Sequence, residues 1–179
     1  FMLKTYSKQV TELGKLHKWQ QALHVIWDMR AERLEPDVIN HNAAIGACEK
    51  SSRWREAIRM LEDMQLRHLE PDDFTCAATI GACSRSAHWR EAVDVFSDLK
   101  PGGIRPGEIA FNAAITCCEK GAQWQGALAM FSDMRLRRLM PSVVTFNAAI
   151  TACERSARWQ ASLGTLVDMR MRRLQLDVV

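Results

Sequence analysis

Apolar residues recur at helical spacing along the chain, in two stripes that a short polar break separates. In the segment 39–50 the apolar face consists of Ala44 and Ile45, which lie four and three residues before Cys48, and of Cys48 itself. The second stripe follows the polar break at 51–53 and keeps the same spacing: Trp54, Ala57, Ile58, Leu61 and Met64. Each stripe predicts an amphipathic helix, and we name these helices A and B.

Helix B is predicted to end at the segment 69–72. Pro71 cannot continue a helix, and Asp72 is a favoured residue at the start of the next one. Two helices, a polar break and a Pro-Asp ending therefore make one helix-turn-helix unit.

This unit returns every 35 residues, with no gap or insertion. Three rows of identical residues show the period: Trp19, Trp54, Trp89, Trp124 and Trp159; Pro36, Pro71, Pro106 and Pro141; Cys48, Cys83, Cys118 and Cys153. A fixed period of about 20 to 50 residues marks a stacked repeat protein, in which each unit buries its apolar face against its neighbours. The predicted fold is therefore an all-α solenoid.

Five units fit the chain as a single array over 3–179, with the frames 3–37, 38–72, 73–107, 108–142 and 143–177. Solenoid ends normally carry atypical polar caps, and neither end unit has that composition. We therefore expect a fragment of a longer array, with further repeats and any targeting peptide outside these residues. The Lys-Pro-Gly-Gly sequence at 100–103 is expected to shorten helix B of the third unit, and Leu176 stands where proline is expected.

Composition and charge exclude little by themselves. The chain is 47% hydrophobic and 25% charged, with a formal net charge of +3, so the placement of the basic residues must decide whether a polyanion is the partner. No apolar run approaches the roughly 18 residues of a membrane span, and no secretory signal opens the sequence. Membrane insertion is therefore not expected.

The six cysteines contain no Cys-x-x-Cys pair, and four of them occupy one slot of successive units. Packed helices place such a slot about 10 Å apart, which is too far for a disulfide or a shared metal ion. Small buried thiols in a reducing compartment are predicted. The tryptophan row has two interpretations: packing within and between units, which its place on the apolar stripe favours, or a stacking platform.

The units resemble pentatricopeptide repeats. The resemblance covers all five units and depends on their length, an asparagine near the start of helix A (Asn42, Asn112 and Asn147), a small-residue-rich helix A, an alanine in helix B and the closing hydrophobic-x-Pro-Asp. Tetratricopeptide repeats, the nearest alternative, have a period of about 34 and a Gly and Tyr pattern that is missing here. The fold that the resemblance implies is a right-handed α-α superhelix.

The resemblance further implies that single-stranded RNA binds along the concave face of the A helices, with one nucleotide read per unit. The reading residues would be the fifth and the last of each unit: Ser7 and Asp37; Asn42 and Asp72; Ala77 and Gly107; Asn112 and Ser142; Asn147 and Asp177. In the family such pairs favour guanine in the first unit, uracil in the second and fifth, and cytosine over uracil in the fourth. Ala77 and Gly107 have no polar side chain, so the expected site is 5′-GUNCU-3′.

Capping is the structural alternative for these residues, because Asn and Asp are also favoured at helix starts. A second row of the family pattern consists of apolar residues that would sandwich the bases: Ile39, Phe74, Ile109 and Val144. Lys4 interrupts this row in the first unit, which puts base binding by that unit in question.

A basic residue also lies near the end of helix A in every unit: Lys15, Lys50, Arg85, Lys120 and Arg155. In the family this slot faces the RNA backbone, and a row of cations is the expected partner of a phosphate chain. The alternative is that the cations only stabilise the negative ends of the A helices. Both interpretations predict the same positions.

No catalytic, metal or cofactor site is expected. The five histidines share no metal-ligand spacing, and the zinc signature of nucleobase deaminases is missing from the sequence. The predicted function is sequence-selective binding of single-stranded RNA, in RNA processing, stability or translation. By resemblance the location is a mitochondrion or chloroplast. The alternative is a scaffold subunit of a large organellar complex that binds protein.

Overall fold

The computed structural model describes residues 2–99 and 106–171 of the chain, which form ten α-helices. The helices alternate between helix A and helix B of successive pairs: α1 (Met2–Lys15), α2 (Trp19–Ala31), α3 (Val38–Lys50), α4 (Trp54–Leu66), α5 (Asp73–Arg85), α6 (Trp89–Asp98), α7 (Glu108–Lys120), α8 (Trp124–Leu136), α9 (Val143–Arg155) and α10 (Trp159–Met171). The predicted all-α fold of helix-turn-helix units is confirmed.

The turn between the helices of a pair is a tight three-residue connection. After α3, the Ser52 N–H donates to Glu49 O at 3.1 Å and the Arg53 N–H donates to Cys48 O at 2.8 Å. Ser52 adopts the left-handed conformation with φ 56°. This conformation lets the two N–H groups bond carbonyl groups at the end of the helix that have no helical partner. Helix B therefore begins at the tryptophan that the sequence places after each break.

The helices stack in two layers. Each A helix packs against the next A helix, in the order α1, α3, α5, α7 and α9. Each B helix packs against its own A helix, and α2, α4, α6 and α8 also pack against the following A helix. Small residues such as Ala44, Ala114 and Ala149 are fully buried or nearly so, so neighbouring A helices approach closely. The A layer thus forms one continuous surface.

All six cysteines are buried and free of disulfides, as predicted. Burial raises the pKa of the Cys48, Cys76, Cys83 and Cys118 thiols to about 12. Thiols in this state carry almost no thiolate at neutral pH, and the thiolate is the reactive form. The cysteines therefore act as small apolar core residues.

Four tryptophans of the row pack between units, whereas Trp159 is 67% exposed. Trp19, Trp54 and Trp89 lie half-buried against the core, and residues of the next unit cover their rings. The Arg53 guanidinium lies 4.8 Å from the Trp19 ring centroid, and the His88 and Trp54 ring centroids are 4.4 Å apart. These contacts fit the packing interpretation.

Helix B of the third unit is shorter than its counterparts, as expected. The α6 helix has 10 residues, whereas α4 and α8 have 13 each. The Lys-Pro-Gly-Gly segment that should cause this lies outside the described residues, as does Leu176. The division of 3–179 into five 35-residue units stays a prediction.

Candidate nucleic-acid interface

The A layer carries a row of exposed apolar side chains, one for each of four successive helices. Ile39, Phe74, Ile109 and Val144 are 50% to 66% exposed, although each stands near the start of an otherwise well-packed helix. They occupy equivalent positions on α3, α5, α7 and α9. A repeated apolar side chain held in solvent is typical of a surface that contacts a ligand.

Asn42 and Asn112 lie one turn further along α3 and α7. Threonines of the following units contact both amides, and Asp72, the last residue of the second unit, also contacts Asn42. Asn42 Nδ2 donates to Asp72 Oδ2 at 3.0 Å, and the Thr75 hydroxyl donates to Asn42 Oδ1. In the fourth unit Thr145 Oγ1 donates to Asn112 Oδ1 at 2.6 Å. Because the Asp72 carboxylate can only accept, Asn42 must turn its Nδ2 toward Asp72, which leaves Oδ1 to Thr75 and fixes the hydrogen-bonding pattern that Asn42 presents.

The last residues of the units cap helices, so the capping interpretation holds for them. Asp37 Oδ1 accepts the Asn40 N–H at 2.9 Å, Asp72 Oδ1 accepts the Thr75 N–H at 2.7 Å, and Ser142 Oγ accepts the Thr145 N–H at 3.4 Å. In Asp72 one carboxylate oxygen caps α5 while the other bonds Asn42. Capping and orienting the fifth residue are therefore compatible.

The third unit is built differently. Gly107 is the N-cap of α7 and offers no side chain, and Ala77 has no polar side-chain atom. The carboxylate of Asp73 takes the place of a cap: Oδ1 accepts the Gly107 N–H at 2.8 Å and the Ala110 N–H at 3.0 Å, and Oδ2 accepts the Ile109 N–H at 3.0 Å. The pattern within a single unit does not predict this role of Asp73.

The predicted pairs of the first and fifth units are less complete. Ser7 lies half-buried on α1, and its carbonyl accepts the Thr11 hydroxyl at 2.8 Å. Asn147 is exposed on α9. Its predicted partner, Asp177, lies outside the described residues.

Every residue of the predicted basic row is exposed and is the last residue of its A helix. Two of the five are already paired with a glutamate of the preceding unit: Arg85 Nε lies 3.5 Å from Glu49 Oε1, and Arg155 Nη2 lies 3.8 Å from Glu119 Oε1. Within 2–99 and 106–171, no ion pair involves Lys15, Lys50 or Lys120. These glutamates were not identified from the sequence, although Glu-Lys recurs at 49–50 and 119–120.

An open groove of about 390 Å³ between α5 and α7 brings the predicted rows together. Its walls include Ile109 of the predicted sandwiching row, Asn112 of the predicted reading residues, and Arg85 and Lys120 of the predicted basic row. A nucleotide has a ring, a hydrogen-bonding edge and a phosphate, and this groove offers a partner to each. The three rows therefore belong to one surface.

The described residues offer no sign of a metal centre. Over 2–99 and 106–171, no three or more His, Cys, Asp or Glu side chains are arranged to hold a metal ion. None of the helices in those ranges has both the length and the apolar composition that a membrane span needs.

A family model described as the PPR repeat family matches residues 36–85 and 106–155, together more than half of the chain. A comparison with curated proteins gives no match. The two matched segments contain the reading, sandwiching and basic residues of the second and fourth units.

Solved structures of pentatricopeptide repeat proteins are similar to this chain. PPR10 from maize has a TM-score of 0.76 at 25% identity, and PPR10 in complex with an 18-nt psaJ RNA element has 0.72 at 22%. Each match covers 94% of this chain but only 24% or 28% of PPR10. The PPR domain of Arabidopsis thaliana protein-only RNase P 1, in complex with tRNA, has a TM-score of 0.77 at 14% identity, with 94% of this chain and 89% of that chain covered.

The matched segments, the paired helices and the similar solved structures agree with one another. The chain therefore belongs to the PPR repeat family, the pentatricopeptide repeat proteins.

Proposed function

We propose that this array binds single-stranded RNA along its A helices, with one nucleotide per unit. The observation that carries the proposal is the groove between α5 and α7, where an exposed apolar side chain, an oriented Asn amide and two cations meet. The base would pack between the apolar residues of neighbouring helices, and the phosphates would follow the basic row.

Selectivity would come from the oriented amides. Asn42 is held by Asp72 and Thr75, and Asn112 is held by Thr145. An amide that is already held in this way can present its donor and acceptor to a base edge with little further loss of conformational entropy on binding. With the family pattern for the other units, the proposed site is 5′-GUNCU-3′.

The proposed setting is an organelle, a mitochondrion or chloroplast, where the array would take part in RNA processing, stability or translation without being a catalyst itself. PPR10 provides an analogy, since its crystal structure contains an 18-nt psaJ RNA element. RNA binding by this chain is our inference from the groove.

A protein scaffold is the second candidate, and one observation favours it. At the ends of the B helices Leu66 and Leu136 are 80% and 82% exposed, and Met140 is 66% exposed. Exposed apolar residues on this side of the array would suit a protein contact. A scaffold of this kind would not depend on the basic row.

Asn42→Ser is expected to move the second unit's preference from uracil toward guanine. The substitution replaces the fixed amide by a hydroxyl and reproduces the Ser and Asp pair of the first unit. We expect the ratio of the affinities for GUACU and GGACU to change roughly tenfold in favour of GGACU. A change of this size is comparable to one well-placed hydrogen bond to a base. Fluorescence anisotropy at fixed salt measures the ratio.

The control is Gln65→Ser, which makes a similar amide-to-hydroxyl change at an exposed position of α4. It should leave the preference for GUACU intact. An unchanged ratio in Asn42→Ser would show that the fifth residue does not choose the base.

Glu49→Gln is expected to strengthen RNA binding. Glu49 holds Arg85 through the 3.5 Å contact between Oε1 and Nε, so a phosphate must compete with this carboxylate for the guanidinium. Neutralising it should raise affinity by about two- to fivefold at low salt, because an exposed ion pair of this kind is worth up to about 1 kcal/mol.

The matched control is Glu62→Gln, which removes the same charge from an exposed position on α4. It should have a smaller effect than Glu49→Gln. Equal effects of the two variants would mean that net charge alone governs the affinity, and that Glu49 does not restrain Arg85.

A further inference from the structure

Asp73 fills the space that the third unit leaves at its last residue. Gly107 has no side chain, and a Cβ added there would lie 2.5 Å from Asp73 Oδ2. That separation is far below an ordinary contact, so a side chain at residue 107 would displace the Asp73 carboxylate. Gly107 and Asp73 are therefore a matched pair, in which the missing side chain makes room for the carboxylate.

Three backbone N–H groups hold the carboxylate in place. In α9, the Ser142 side chain accepts the N–H of the third helical residue, and the Thr145 hydroxyl accepts the Ser142 N–H. Ala110, the counterpart of Thr145 in α7, has no hydroxyl, and Asp73 Oδ1 accepts both of the corresponding N–H groups. Charge-assisted bonds of this kind are short and strong, so the position of Asp73 is well defined.

The carboxylate lies beside the two residues that are proposed to sandwich the third base. Asp73 directly precedes Phe74, and its Oδ2 accepts the N–H of Ile109, so it connects the two residues proposed to sandwich that base. Ala77 and Gly107 contribute no polar side-chain atom. Asp73 thus supplies the side-chain acceptor that the third unit otherwise lacks.

We propose that Asp73 sets the base choice of the third unit and makes it prefer adenine or cytosine to uracil. The inference rests on the proposed RNA binding. A carboxylate accepts about four hydrogen bonds and donates none, and three of these are used, so one acceptor site is left for a base. Adenine and cytosine offer an amino group to it, and so does guanine. Uracil offers only its N3–H, which lies between two carbonyl oxygens that the fixed negative charge repels, so the inference separates bases with an amino group from uracil.

The test compares RNAs that contain GUACU, GUCCU and GUUCU in identical flanks, by fluorescence anisotropy at one low salt concentration. The wild-type chain should bind the first two roughly three- to tenfold more tightly than the third, as one added hydrogen bond and one removed repulsion would give. Asp73→Ala should abolish this difference. Asp94→Ala, which removes a carboxylate from the exposed side of α6, should preserve it.

A second variant separates base choice from helix capping. Asp73→Ala combined with Gly107→Ser removes the carboxylate but supplies a serine cap like that of Ser142. Amide hydrogen exchange at Ala110 should be faster in Asp73→Ala and slowed again in the double variant. The double variant should still show no discrimination against uracil at the third position.

Equal binding of the three RNAs by the wild-type chain would overturn the inference, as would a uracil penalty that survives in both Asp73 variants. If the wild-type chain still distinguishes GUACU from GGACU, such a result leaves the proposed function standing and removes only the role of Asp73. Failure to bind any of these RNAs would overturn both.

Discussion

Replacing the five cations that end the A helices with alanine is expected to abolish RNA binding at moderate salt. The set is Lys15, Lys50, Arg85, Lys120 and Arg155. If each neutralises one phosphate, counterion release predicts a log–log salt slope of about −3.5 for the wild-type chain, or roughly a hundredfold weakening between 50 and 200 mM salt. The variant should lose at least about a hundredfold in affinity at 50 mM salt, together with most of that slope.

The control removes five exposed arginines, each from a B helix or the turn that follows it: Arg33, Arg59, Arg90, Arg138 and Arg170. Each variant loses five positive charges, so the comparison tests where on the array the charge matters. The control should keep a salt slope close to that of the wild-type chain. Equal losses in the two variants would mean that RNA binding does not follow the A helices, and a protein contact unaffected by the first set would favour the scaffold.

Phe111→Ala is expected to destabilise the array by about 3 to 5 kcal/mol, as large-to-small core substitutions of Phe do. Phe111 is fully buried at the start of α7, and its ring meets the Phe96 ring edge-on with centroids 4.8 Å apart. Because each repeat contacts only its neighbours, the loss should be concentrated around α6 and α7. Chemical denaturation gives the total, and amide hydrogen exchange locates it.

Phe74→Ala is the matched control, since Phe74 is 50% exposed at the start of α5. It should cost less than about 1 kcal/mol of stability while weakening RNA binding. A stability loss as large as that of Phe111→Ala would show that Phe74 belongs to the core, and would remove it from the proposed base-sandwiching row.

The period made the helices predictable. Segment 39–50 was expected to be helical, and α3 covers Val38–Lys50. Helix B was expected after the polar break, and α4 begins at Trp54. Such agreement is possible because each apolar stripe, turn and proline is a local feature that recurs in the same register. Errors in one unit are corrected by comparison with the others.

Contacts between units were harder to predict. Asp73 caps a helix that begins more than 30 residues later, and Glu49 pairs with Arg85 of the next unit. Neither follows from spacing within a unit. The available signals were the Asp-Asp sequence at 72–73, where Val38 and Val143 occupy the second of these positions in other units, and a glycine at the last residue of the third unit.

The contacts of His41 were also hard to predict from the sequence. It is fully buried where Phe111 and Phe146 occupy the equivalent slot, and its ring nitrogens lie 2.9 Å from Asp37 O and 3.0 Å from Asp63 Oδ2. Although burial alone would raise the pKa of Asp63, the hydrogen bond with His41 and the charge of Arg30 lower it below its usual value. From the sequence, His41 could be recognised only as a departure from the aromatic slot.

The most direct test of the proposed function is the order of bases that the array prefers. Fluorescence anisotropy at one fixed low salt concentration should compare an RNA that contains GUACU with one that contains UCAUG in the same flanks. The two RNAs have the same composition and charge, so electrostatic attraction alone would bind them equally. Tighter binding of GUACU is the expected result, and equal affinities would contradict selective reading by the A helices.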